Sequence, residues 1–149
     1  MVRILGLDVG DRRVGVAVSD ELGLTAQPVL TLVRKNRRQD LSSLRRLVRK
    51  YGCNHVVVGN PLYMSGDVSP QALKAQALAQ HLKSETGIPV TLWDERLSTT
   101  EAHRHLDAAG HQPGKRRAVI DQVAAVLILQ SFLDSRSTEE AAREEKSVV

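Results

Sequence analysis

Val2-Arg3-Ile4-Leu5-Gly6-Leu7-Asp8-Val9-Gly10-Asp11-Arg12-Arg13-Val14-Gly15-Val16-Ala17-Val18-Ser19 opens the chain with two apolar runs hinged on a polar turn. Residues 2–7 and 14–19 predict two strands, and residues 8–13 join them as a hairpin. In the second strand Val14, Val16 and Val18 face one way, while Gly15, Ala17 and Ser19 face the other. That small face lets something approach the sheet closely, and a packed helix is the plainest candidate. Residues 27–33 predict a third strand, so the chain begins as a meander.

Helical spacing follows at Leu41, Leu44, Leu47, Val48 and Tyr51, opposite a basic face of Arg37, Arg38, Arg45, Arg46 and Arg49. Gly52 is placed to stop that helix. His55-Val56-Val57-Val58-Gly59 reads as a buried strand and residues 60–67 as a loop. A helix is expected over 70–86, a break at Gly87-Ile88-Pro89, and a strand over 90–93. Ser98-Thr99-Thr100-Glu101 has capping-box spacing, so Glu101 caps a helix that should end near Gly110. Basic, polar residues 111–117 lead into a last helix ending near Leu133. Residues 135–149 are charged and weakly apolar, and read as a disordered tail. Antiparallel hairpins followed by βαβ alternation predict an α/β domain over residues 1–134, with a mixed sheet of about five strands flanked by helices.

The chain has 149 residues, 3% aromatics and a formal charge of +4. Its pI is about 9.6, and basic residues concentrate in 34–50 and 115–117, which suits a polyanionic partner such as nucleic acid. Cys53 stands alone, which excludes an intramolecular disulfide and fits a reducing interior. No N-terminal signal is evident, and nothing resembles the ~18 apolar residues of a membrane span. The expectation is a cytoplasmic protein with no membrane partner.

Three acidic residues stand where an ordinary surface charge does not belong. Asp8 ends an apolar run, Glu95 follows the strand-like Leu92-Trp93-Asp94, and Asp121 interrupts an apolar helix. Converging carboxylates raise each other's pKa unless a cation lies between them, and a hard divalent ion prefers such oxygens. Each residue also has a plainer account. Asp8 can bond turn amides, and Asp121 can favour the helix dipole. Only one of Asp94 and Glu95 can readily face a common site. Arg13 suits a phosphate or a nearby carboxylate, and Arg96 can pair with Asp94 or Glu95. His103, His105 and His111 match no metal-ligand spacing, Cys53 reads as a small core residue, and no Walker loop or dinucleotide fingerprint is present.

Taken in order, the motifs resemble the YqgF family, also called RuvX-like resolvases. The matches are Asp8-x-Gly10-x-x-Arg13-Val14-Gly15-Val16-Ala17, Gly59-x-Pro61-Leu62 with Gly66, Asp94-Glu95-Arg96-Leu97-Ser98-Thr99, and Ile120-Asp121-x-x-Ala124-Ala125. Asn60 and residues 67–70 depart from the commoner family pattern. The resemblance implies a ribonuclease H-like fold and a nuclease that matures the 5′ end of 16S ribosomal RNA, with Holliday-junction resolution as an older assignment. It implies that Asp8, Glu95 and Asp121 are catalytic and bind two Mg²⁺ or Mn²⁺ ions. Arg13, Arg96, Lys115, Arg116 and Arg117 would then hold the phosphates of a structured RNA, pre-16S rRNA, or of branched DNA. Oligomeric state stays open.

Two other classes compete. Asp8-x-Gly10-x-x-Arg13-x-Gly15 also resembles the phosphate-binding start of actin- and sugar-kinase-like ATPases, which use two such domains. A non-catalytic RNA-binding ribosome-assembly factor would keep the basic surface and need no metal.

Overall fold

The computed structural model describes residues 3–97 and 115–147, with side chains of the last helix described from Arg117 to Ser137. β1 (Arg3–Val9) and β2 (Arg13–Ser19) form the antiparallel hairpin read from the first residues, and β3 (Ala26–Val33) adds antiparallel to β2. The turn between β1 and β2 is closed by the Gly10 amide, which donates to the Arg13 carbonyl at 2.8 Å.

α1 (Arg37–Tyr51) starts at Asn36, whose side chain accepts from the Gln39 amide, and stops at Gly52 with φ 63°. Only glycine adopts that left-handed conformation freely, so the predicted stop is physical. β4 (Cys53–Asn60) runs parallel to β1; α2 (Pro70–Thr86) crosses back, and β5 (Val90–Asp94) runs parallel to β4. A single 3₁₀ turn, Glu95–Leu97, ends this part. The last helix, α3, spans Lys115–Ser147. The strand order is β3-β2-β1-β4-β5, the mixed five-stranded sheet expected.

The sheet buries both faces. Leu5, Leu7, Val14, Val16, Val56 and Val58 pack with Leu44, Leu47 of α1 and Leu78, Leu82 of α2. Ile4, Ala17 and Val57 pack on the other face with Ala125, Ile128 and Leu129 of α3.

Several expectations are corrected. β1 continues through Asp8 to Val9, because Asp8 and Val9 still pair with Gly15 and Val14. The last helix does not end near Leu133; the run of Glu, Ala, Arg and Lys after Ser137 is rich in helix formers and carries it to Ser147. Residues 117–137 are also long and apolar enough to cross a membrane by length and composition, contrary to the sequence expectation. Ala125, Ile128, Leu129, Phe132 and Leu133 of that stretch are buried against the sheet, as in a core helix. The capping box at 98–101, the helix expected to end near Gly110, and His103, His105 and His111 lie outside the described residues.

Candidate active site

Strand alternation decides which side chains reach α3. Ile4 faces the α3 side and Leu5 and Leu7 the other, so Gly6 and Asp8 share the face of Ile4. By the same alternation Gly15 lies with Ala17 in β2, and Gly59 with Val57 in β4.

Three strands thus present glycine where α3 crosses them. A Cβ at Gly6 would stand 2.7 Å from Leu129 Cβ, and one at Gly15 would overlap the backbone carbonyl of Asp121. The small face of β2 is therefore occupied by the α3 backbone, and it meets the sheet at Asp121. Since Gly15 is the register partner of Asp8, this contact brings Asp121 beside Asp8.

Glu95 arrives from the opposite flank. Its Oε1 lies 3.0 Å from where a Gly59 Cβ would be. Leu7 pairs with Val58, so Gly59 follows Val58 as Asp8 follows Leu7, on the neighbouring strand. Asp8, at the carboxyl end of β1, and Glu95, just after β5 and over the end of β4, therefore lie on the face that α3 covers, where Asp121 approaches Asp8. Ligands of open α/β sheets bind at such strand ends.

The electrostatics suit crowding. Burial pushes the Asp8 carboxyl up to about 7, and the negative charge of Asp121 adds to the rise. Arg13 Nε donates to Asp121 Oδ2 at 2.8 Å, so this arginine serves a carboxylate. Asp94 ends β5 and Glu95 starts the 3₁₀ turn, and the two take separate partners. Asp94 accepts from Arg96 Nη2 at 2.6 Å and from Arg96 Nε at 3.0 Å, and these hydrogen bonds hold its carboxyl below the ordinary range. Arg96 Nη1 also reaches the Met64 carbonyl at 3.3 Å, fastening the loop after β4 to the end of β5.

Arg117 is exposed one turn before Asp121, and Lys115 and Arg116 share that first turn of α3. Among the described residues no group of three or more His, Cys, Asp or Glu lies close enough, as placed, to hold a metal ion. The carboxyl groups share a face without a common coordination sphere.

Sequence reasoning read Gly59 as the end of a buried strand and as a motif position, and missed that it makes room for Glu95 and α3. The available signal was its place one residue past the apolar run of β4, on the face that α3 covers.

The family model of RuvX, described as a Holliday junction resolvase, matches residues 2–135. A Moorella thermoacetica protein named as a candidate pre-16S rRNA nuclease is 51% identical over 133 residues, 89% of this chain and 95% of that protein. A Syntrophus aciditrophicus protein of the same name is 49% identical over 138 residues, 93% of this chain and 92% of that protein. Among solved structures, Thermus thermophilus RuvC in complex with a Holliday junction substrate has a TM-score of 0.58 over 92% of this chain and 96% of that chain, at 14% identity. That likeness establishes the ribonuclease H-like fold.

Proposed function

This chain belongs to the RuvX family, and from that premise we propose that it is a metal-dependent endonuclease hydrolysing phosphodiester bonds in the 5′-end maturation of pre-16S rRNA. What supports the proposal is that Asp121 of α3 lies over Gly15, the partner of Asp8 at the end of β1, while Glu95 reaches over Gly59 at the end of neighbouring β4, on the same face of the sheet. The nuclease unit is residues 1–134, working in the cytoplasm, where ribosomes are assembled.

The donor set fits a hard divalent cation. Asp8 is a half-buried carboxyl whose ionisation is opposed by burial and by Asp121, and a cation beside it would reverse that balance. Asp8, Glu95 and Asp121 would hold Mg²⁺ or Mn²⁺, which when bound supplies an acidified water and charge stabilisation for the departing oxygen. The chain's own contribution is placement. Arg13 orients Asp121 through its Nε, the Asp94–Arg96 pair fixes the end of β5 from which Glu95 reaches toward Gly59, and Lys115, Arg116 and Arg117, in the first turn of α3, are the cations assigned to flanking phosphates.

A cleavage assay with Mg²⁺ or Mn²⁺ on precursor 16S RNA, single-stranded RNA and four-way DNA junctions tests this. Precursor RNA should be cut, and Asp8→Asn should not cut it. Preference for the junction would favour the resolvase reading carried by the family description. Nucleotide hydrolysis that vanishes in Asp8→Asn, ignores RNA and comes without nucleic-acid cleavage would favour the ATPase. RNA binding without any cleavage would favour an assembly factor.

A further inference from the structure

A substrate cut beside Asp8 needs its flanking phosphates held, yet Arg13 and Arg96 are engaged, Arg13 with Asp121 and Arg96 with Asp94. Other cations lie across the β1–β2 turn. A cleft of about 400 Å³ opens there between the turn, the start of α1 and α2, lined by Asp11, Lys35, Arg37, Asp40, Lys74 and others. Its acids are already satisfied. Asp40 accepts from the Lys35 amide at 3.0 Å and faces Arg34 Nε at 3.6 Å, while Asp11 pairs with Lys74.

Lys35, Arg37 and Arg38 are exposed and have no acidic partner among the described residues. Arg49, likewise without one, continues the charge along α1: eleven residues from Arg38, it lies about 20° round the helix and about 16 Å along it. Arg45, by contrast, is drawn aside to Glu85 at 3.8 Å. The cleft wall is fixed to the turn that follows Asp8, because Arg34 Nη1 donates to the Gly10 carbonyl at 3.1 Å and its amide to the Arg12 carbonyl at 2.8 Å. None of the large exposed apolar residues lies on α1. The face therefore offers charge without the apolar anchor on which protein interfaces depend.

We propose that Lys35, Arg37, Arg38 and Arg49 form a second nucleic-acid surface, on the face of the sheet opposite the carboxylates, which grips the phosphate backbone of a structured RNA that passes over the β1–β2 turn. This rests on the nuclease reading for where the RNA is cut. Such contacts position the strand and carry little sequence information.

The test compares the full chain with Lys35→Ala/Arg37→Ala/Arg38→Ala, and separately with Arg49→Ala, in metal-free binding titrations across salt concentrations. The probes are a long RNA hairpin, a strand of a few nucleotides, and poly-glutamate. For the hairpin, the triple variant should lose about tenfold or more in affinity, with a log–log salt slope shallower by roughly one unit per lost contact. Arg49→Ala should lose about one such unit. The short strand should bind both variants like the unsubstituted chain. Unchanged hairpin slopes in folded variants overturn the proposal, as does loss of poly-glutamate binding with hairpin binding intact. Absence of metal-dependent cleavage by the unsubstituted chain sinks the nuclease reading alone, because the binding comparison uses no metal.

Discussion

Arg13 Nε donates to Asp121 Oδ2 at 2.8 Å, joining residues 108 positions apart and clasping the start of α3 to β2, beside the central strand that carries Asp8. The pair is part-buried, with side chains 29% and 21% exposed.

Arg13→Ala should therefore destabilise the fold by about 1 kcal/mol at neutral pH, since a partly exposed pair is screened. Arg13→Lys should recover part of that loss. Urea denaturation at pH 7 reads the difference; equal midpoints for Arg13→Ala and the unsubstituted chain would show that the clasp contributes nothing.

Asp8→Asn probes the crowding directly. The Asp8 carboxyl titrates near 7 in the folded chain against an ordinary value of 3.8. Between those values the folded state binds the extra proton, so stability attributable to Asp8 is complete below about pH 4 and lost as pH rises through 7. Above pH 7 the buried charge costs on the order of 2–4 kcal/mol without metal. Asp8→Asn should match the unsubstituted chain at pH 4 and melt higher at pH 8, while cleaving nothing. A lower melting temperature at pH 8 would assign Asp8 a structural role.

Gly15→Ala should be among the most damaging single methyl additions. Its Cβ would overlap the Asp121 backbone, which cannot rotate aside as a side chain can. Overpacking of this kind costs about 1–3 kcal/mol, and more when backbone must move. Gly59→Ala meets the Cδ1 tip of Ile128 at 2.6 Å and Glu95 Oε1 at 3.0 Å, both ends of adjustable side chains. It should cost less stability and more activity, because it displaces Glu95. Thermal melting beside a cleavage assay separates the two; the reverse ranking would mean that α3 does not bear on Gly15.

The alternation Val14-Gly15-Val16-Ala17 displays in the sequence that one face of β2 is bare, and a helix lies there. Periodicity also yields the five strands and the stop of α1 at Gly52, since these depend on local chemistry. The limits of β1 and α3 were less legible. Asp8 stays in its strand because of cross-strand pairing with Gly15, which the polar sequence of the turn hides, and α3 runs on through residues whose charge resembles a tail. Arg13 and Arg96 show the same limit at the site: an arginine beside a motif reads equally as a phosphate ligand or as a carboxylate's partner, and only the three-dimensional neighbours decide.

Asp94 and Glu95 are adjacent acids with separate duties, and substitution should divide them. Asp94 is bound to Arg96, which in turn holds the Met64 carbonyl, so Asp94→Asn should loosen the loop after β4. Hydrogen exchange near residues 62–67 should quicken, and cleavage should fall by no more than the roughly 10–100-fold typical of a residue that acts through its neighbours. Glu95 stands over Gly59 on the face of Asp8. Glu95→Gln keeps its size and removes the charge, so it should leave the loop's exchange unchanged and reduce Mg²⁺-dependent cleavage far beyond that range. Equal losses from the two variants, or a quickened loop in Glu95→Gln, would mean that both carboxylates support the loop and that Glu95 is no part of the metal site.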